Sequence, residues 1–94
     1  MSQAIVRIPA PLRGFTGGAS EVAVDGATVG AALEDLDRRH EGLLERIVDG
    51  KGQPRSFVNL YLDDENIRTL DGLDSELGDG AVIHIVPAVA GGGR

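Results

Sequence analysis

Ala81-Val82-Ile83-His84-Ile85-Val86-Pro87-Ala88-Val89-Ala90-Gly91-Gly92-Gly93-Arg94 is the stretch from which the rest of the chain is best read. Its first six residues predict a strand. β-Branched side chains dominate, and a period of two sets Ile83 and Ile85 on the inner face and Val82, His84 and Val86 on the outer one. Pro87 stops the strand because it has no N–H to donate. A short apolar segment and three successive glycines follow. Glycines have no side chain to pack, and ordering each residue costs roughly 1–2 kcal/mol of backbone entropy. A domain spanning 1–87 with a flexible tail over 88–94 is the expected organisation. Two readings of such a tail are open. It is either a frayed end without chemistry, or a slender thread that carries a terminal carboxylate into a site too narrow for a Cβ.

Working back from this strand, Gly78-Asp79-Gly80 is a turn, and Leu70, Leu73 and Leu77 among small polar residues predict one helical turn. Ile67-Arg68 reads as a short edge strand after a turn at 63–66. Phe57-Val58-Asn59-Leu60-Tyr61-Leu62 is a strong strand. At the other end, Ala4, Val6 and Ile8 alternate with Ile5 and Arg7 until Pro9 and Pro11 interrupt. Gly14 and Gly17-Gly18 mark a loop, Glu21–Val24 resumes the alternation, and Asp25-Gly26 closes it. Two strands so close predict a hairpin with a long loop.

Thr28 then reads as a helix N-cap, with Val29, Ala32, Leu33 and Leu36 on one face and Glu34, Asp35, Asp37, Arg38 and Arg39 on the other. The helix is expected to end between His40 and Gly42, and Leu43, Leu44, Ile47 and Val48 predict a further turn. This order predicts an α+β fold, a mixed sheet of four to five strands with one main helix across it. The helix could serve as the crossover that parallel neighbours require. Order alone admits a β-grasp domain, a small ferredoxin-like domain or another α+β sandwich.

The chain has 94 residues and no cysteine, which excludes disulfides, thiolate metal sites and a cysteine nucleophile. Nine basic residues against fifteen acidic ones give a net charge of −6, and three scattered aromatics offer no stacking platform. Nucleic acid and anionic lipid are therefore disfavoured as partners, and a basic protein surface is favoured. No apolar run reaches the roughly 20 residues of a membrane span, and the first residues do not read as a signal peptide, so a cytoplasmic location is expected.

Taken together, several segments resemble the ThiS/MoaD family of ubiquitin-like sulfur carriers, most closely its CysO-like branch in actinobacteria. They are Ile8-Pro9 with Leu12-Arg13 and Thr16-Gly17-Gly18, then Thr28-Val29-Gly30, then Arg55, Phe57-Val58-Asn59 and Tyr61, then Asp64-Glu65 with Arg68. The terminal run Val86-Pro87-Ala88-Val89-Ala90-Gly91-Gly92 is the most specific piece. The resemblance covers nearly the whole chain and implies a ubiquitin-like β-grasp fold. It also implies that the protein is a substrate and carrier, not an enzyme.

In such carriers an E1-like adenylyltransferase/sulfurtransferase joins the terminal carboxylate to AMP from ATP-Mg, and sulfide displaces AMP to leave a thiocarboxylate. The carrier itself binds no cofactor. By resemblance, Gly91 and Gly92 pass through the partner's cleft, and Val86 with Ile67 forms an apolar docking surface near the basic Arg13. Pro87 and Val89 limit wandering of the tail. A sulfur-accepting biosynthetic enzyme is the implied second partner, serving cysteine, thiamin, molybdopterin or a secondary metabolite. A metalloprotease that trims the terminus or releases product is a third. One departure matters: mature carriers of the family end at the second glycine, here Gly92, whereas this chain continues with Gly93 and Arg94. Gly92 is the favoured mature terminus, with Gly93 the alternative. A non-covalent interaction module and a protein modifier joined to lysines are the other readings.

Other residues that invite chemistry are better explained without it. His40 and His84 have no second ligand at metal spacing and read as solvent-facing or capping residues. Asp63-Asp64-Glu65-Asn66 lacks the alternating ligands, central glycine and final glutamate of a calcium loop. Gly14, Gly17 and Gly18 precede a strand and do not open a helix, which disfavours a phosphate loop. Ser20, Ser56 and Ser75 have no nucleophile-elbow context.

Overall fold

The computed structural model describes residues 3–87; the readings that fall on Val89, Gly91, Gly92, Gly93 and Arg94 lie outside them. Strand β1 (Gln3–Arg7) buries Ala4 and Val6 and exposes Arg7, as its alternation dictates. It pairs antiparallel with β2 (Glu21–Asp25), placing Ala4 opposite Val24 and Val6 opposite Val22. Between them the chain forms a 3-10 segment over Ala10–Thr16 where a loop was expected. The two prolines prevent a strand; Pro9 caps the segment in an extended conformation, Pro11 suits its first turn, and Gly17 ends it in the left-handed region at φ 67°.

Helix α1 (Val29–Arg39) starts where Thr28 caps it: the Thr28 hydroxyl oxygen accepts from the Ala31 N–H at 3.1 Å. The Val29 N–H, left without an intrahelical acceptor, donates to the Ser75 carbonyl at 3.0 Å. Val29, Ala32, Leu33 and Leu36 are fully buried beneath it. A four-residue helix α2 (Leu44–Ile47) drops Ile47 into the same core. Gly26, just before α1, has a physical reason to be glycine. A Cβ there would lie 2.6 Å from the Ala32 backbone nitrogen.

Strands β3 (Val58–Leu62), β4 (Glu65–Asn66) and β5 (Ala81–Pro87) complete a five-stranded sheet in the order β2-β1-β5-β3-β4. β5 lies in the middle, parallel to β1 and antiparallel to β3. A parallel central pair with one main helix over one face is the β-grasp arrangement, and it removes the ferredoxin-like alternative. Ile83 and Ile85 join the core, whereas Val82, His84 and Val86 face away, as predicted.

The edge strand differs from expectation. Pairing occupies Glu65–Asn66, opposite Leu62 and Tyr61, and residues Ile67–Thr69 form a 3-10 turn. The Asn66 side-chain oxygen accepts from the Arg68 N–H at 2.9 Å, which bends the chain out of the ladder. Ile67 turns inward as a result and is fully buried.

Candidate functional site

The last strand, β5, ends at Pro87 on the rim of the sheet. β1 accompanies β5 only as far as the Arg7–His84 pair. Beyond it, Ile85, Val86 and Pro87 are paired with β3 alone, opposite Leu60, Asn59 and Val58. The final residues of β5 therefore project past the end of β1 while β3 holds them in register. This is a stem held by one neighbouring strand, with Pro87 at its end partly exposed.

On the outer side of the stem, Val86 is 41% exposed. Its cross-strand neighbour Asn59 accepts through its side-chain oxygen from a guanidinium N–H of Arg68 at 3.1 Å. One row back, His84 lies between Arg7 and Tyr61, all at least partly accessible. Arg13, in the 3-10 segment, donates from Nε to the Ile8 carbonyl at 3.0 Å, which fixes it beyond the end of β1. Ile67 does not share this surface. The expectation that it would pair with Val86 in an apolar docking patch is corrected by its complete burial.

On the other side of the stem is a groove of about 500 Å³. It is lined by Pro11, Leu12, Phe57, Val58, Ile85 and Pro87, with Glu45, Arg46 and Arg55 among them. Phe57, on the groove's wall, is 53% exposed. The groove arginines are held in place by uncharged groups. The Arg55 Nε donates to the Glu45 carbonyl at 2.7 Å, and the Arg46 guanidinium stands 5.4 Å from the centre of the Phe15 ring.

The loop that delivers Arg55 is organised by Asp49, whose carboxylate accepts from the Lys51 and Gln53 N–H groups at 2.8 and 3.1 Å. Those backbone bonds, Gln53 first, hold its carboxyl below the usual range, and the nearby Arg55 charge adds to the effect.

Sequence reasoning singled out Arg13, Val86 and Pro87 at this end but assigned no role to Arg46, Arg55 or Phe57 in a groove. The signal available was weak, because four separate segments meet there and none shows a period that points at it.

A cluster of ion pairs lies on α1 and the far end of β2, and one more pair, Arg7 with Glu21, stands beside the stem. Asp35 on α1 accepts from the Asp25 backbone N–H at 2.9 Å, from Arg39 Nε at 2.8 Å and from Arg38 at 3.1 Å. These bonds, the Asp25 N–H foremost, lower its carboxyl from 3.8 to about 2. Arg7 pairs with Glu21 across the hairpin at 3.4 Å. No group of three or more His, Asp or Glu among the described residues is placed to hold a metal ion. No helix of the described residues is long and apolar enough to cross a membrane.

A model of the ThiS family matches residues 6–92. The chain belongs to the ThiS family. Sulfur carrier protein CysO of Mycobacterium tuberculosis is 43% identical over 89 residues, covering 93% of this chain and 96% of that one. A chain of the crystal structure of the Amycolatopsis orientalis BexX/CysO complex superposes with a TM-score of 0.89 at 41% identity, covering 94% of this chain and 98% of the other. Small archaeal modifier protein 3 of Haloferax volcanii is 35% identical over 68 residues, 72% of this chain and 73% of its own. By sequence and by fold the chain is thus a homologue of CysO-type sulfur carriers, which are carriers and not catalysts.

Proposed function

We propose that this chain carries sulfur as a thiocarboxylate on its C-terminal glycine and presents it to a biosynthetic enzyme. The observation that supports this most directly is the extent of the family match, which runs through the glycines and ends at Gly92. In this reading Gly93 and Arg94 are removed by a protease, a metalloprotease by family resemblance, and Gly92 becomes the terminus. An E1-like enzyme then transfers AMP from ATP-Mg to the Gly92 carboxylate, releasing pyrophosphate. Sulfide attacks the acyl carbon, AMP leaves, and the C–S bond replaces the C–O bond that joined the acyl group to AMP. The activated mixed anhydride is needed because a free carboxylate repels nucleophiles and has no good leaving group.

The chain's own residues contribute reach and clearance. From the fixed stem at Pro87, residues 88–92 span at most roughly 17 Å when extended. Gly91 and Gly92 present no Cβ to the walls of a narrow cleft. The exposed Val86, with Arg13 beyond the end of β1, is the surface proposed to meet the activating enzyme, and Pro87 and Val89 restrict the tail so that less freedom is lost on docking. The CysO-like resemblance makes an enzyme of cysteine synthesis the favoured acceptor, and a relative crystallised as a BexX/CysO complex supports docking of a partner protein.

Intact-protein mass spectrometry of the chain from its native cells tests this reading. Loss of Gly93-Arg94 with the shift for one oxygen replaced by sulfur is the expected result. An unmodified chain ending in Arg94, persisting beside activating enzyme, ATP and a sulfur donor, would overturn it.

The similarity to a small archaeal modifier protein favours a second reading, conjugation of the same glycine to lysines. Lysine adducts that survive sulfide would support it. Gly92→Ala should hamper activation in both readings and leave a purely non-covalent module unaffected.

A further inference from the structure

The groove beside the stem combines features that call for an occupant. Leu12, Phe57, Val58 and Ile85 give it an apolar wall, and Arg46 and Arg55 supply positive charge beside Glu45. Neither guanidinium is ion-paired to a carboxylate among the described residues, although Arg55 acts on Asp49 through space. Pro87 is at once a wall of this groove and the residue from which the tail departs.

We propose that the chain's own tail docks in this groove between encounters with partners, Ala88, Val89 and Ala90 against the apolar wall and the terminal carboxylate toward Arg46 and Arg55. Continuity is the first argument. Because the tail begins at the groove, the loop to be closed is short and its entropy cost small. The order of residues is the second. An apolar triplet comes first, glycines follow, and the terminal carboxylate lies beyond them, the same order as an apolar wall and two cations that lie together in one groove. Charge is the third. In a chain of net charge −6, two cations held by a carbonyl and an aromatic ring retain their charge for an anion.

With Arg94 present, a guanidinium sits on the same residue as the carboxylate and is repelled by the same arginines. The match therefore improves in a chain that ends at Gly92; that clause alone rests on the trimming proposed above. A docked tail shelters its terminus from adventitious nucleophiles, and a partner must compete it out of the groove.

The chain has no cysteine, so Gly93→Cys accepts a single nitroxide label. The expected result is paramagnetic broadening several-fold stronger at the amides of Leu12, Arg46, Arg55 and Phe57 than at those of Asn59, His84 and Arg68 on the outer face. This bias should shrink in Val89→Ser, in the double variant Arg46→Gln/Arg55→Gln, and in the parent at high salt. In the unlabelled chain, Val89→Ser should shift the groove amides and leave the outer face in place. If the double variant does not fold, the salt series on the parent makes the same test of charge. Broadening equal on both faces, stronger on the outer face, or insensitive to both Val89→Ser and salt overturns the proposal. None of these readouts depends on sulfur, so this failure is distinct from failure of the carrier reading.

Discussion

The two ends of the molecule use arginine in opposite ways. At the helix end, Arg38 and Arg39 meet carboxylates, Arg38 that of Asp35 and Arg39 those of Asp35 and Asp25. At the end where β5 leaves the sheet, Arg13 and Arg55 bond backbone carbonyls, Arg68 an amide oxygen, and Arg46 stands over a ring. Partly exposed ion pairs contribute only about 0–1 kcal/mol each. Their consequence at the helix end is to settle charge within the domain; at the tail end Arg7 is likewise paired, with Glu21, but Arg13, Arg46, Arg55 and Arg68 are fixed in space without a paired carboxylate among the described residues. The contrast separates a region built for folding from one built for meeting something else, and substitutions at each should divide the same way.

Ile67→Ala should have the largest effect on stability. Truncating a fully buried isoleucine costs about 2–5 kcal/mol, which in a domain this small lowers the melting temperature by on the order of 10–30 °C. Thermal unfolding by circular dichroism measures it. A change near zero would return Ile67 to the surface role that the family resemblance implied.

Gly26→Ala comes next. Its Cβ would need the Ala32 backbone to move from a separation of 2.6 Å, and overpacking of that kind costs roughly 1–3 kcal/mol. Because the strain lies at the folding end, the variant that remains folded should keep the groove amide shifts of the parent. Shifts that spread to Arg46 and Arg55 would show that the two ends are not independent.

Much of this division was legible in the chain. Alternation in Ala4–Ile8 and Ala81–Val86 identified two strands and which side chains they bury. Thr28 followed by apolar residues at helical spacing identified α1 and its cap. The 3-10 segment over Ala10–Thr16 was hidden because proline and glycine announce only that regular pairing stops. β4 was misplaced because two residues cannot display a period, and the side-chain bond from Asn66 that turns Ile67 inward is local chemistry without a pattern. The glycine pair was legible in the sequence, whereas the groove beside its root was not. Its cations come from α2 and from the loop that Asp49 organises, which runs on into Phe57 and Val58, and the rest of its apolar wall from two further segments.

Acid sharpens the contrast further. Asp35 titrates near 2 in the folded chain and at about 3.8 when its partners are gone. Its stabilising contribution is therefore complete above pH 3.8 and is lost as pH falls through about 2. Asp35→Asn should be less stable than the parent at neutral pH, show a flatter decline over that window, and converge with the parent below it. Melting temperature against pH measures this, and parallel curves would remove Asp35 from the account of acid stability.

The smallest effect on folding is expected at Val86, and it tests the tail end most directly. At 41% exposure, on the outer face of a strand held by β3, Val86→Ser leaves the core side chains untouched, and such surface changes usually stay within about 0.5 kcal/mol. If the outer face is where the activating enzyme docks, the same substitution should raise KM for the carrier while leaving kcat nearly unchanged, because lost docking contacts contribute equally to the ground and transition states. A fall in kcat with KM unchanged would instead place Val86 in delivery of the tail to the reacting atoms. Unchanged kinetics would move the docking surface away from the outer face, to the groove side of the stem.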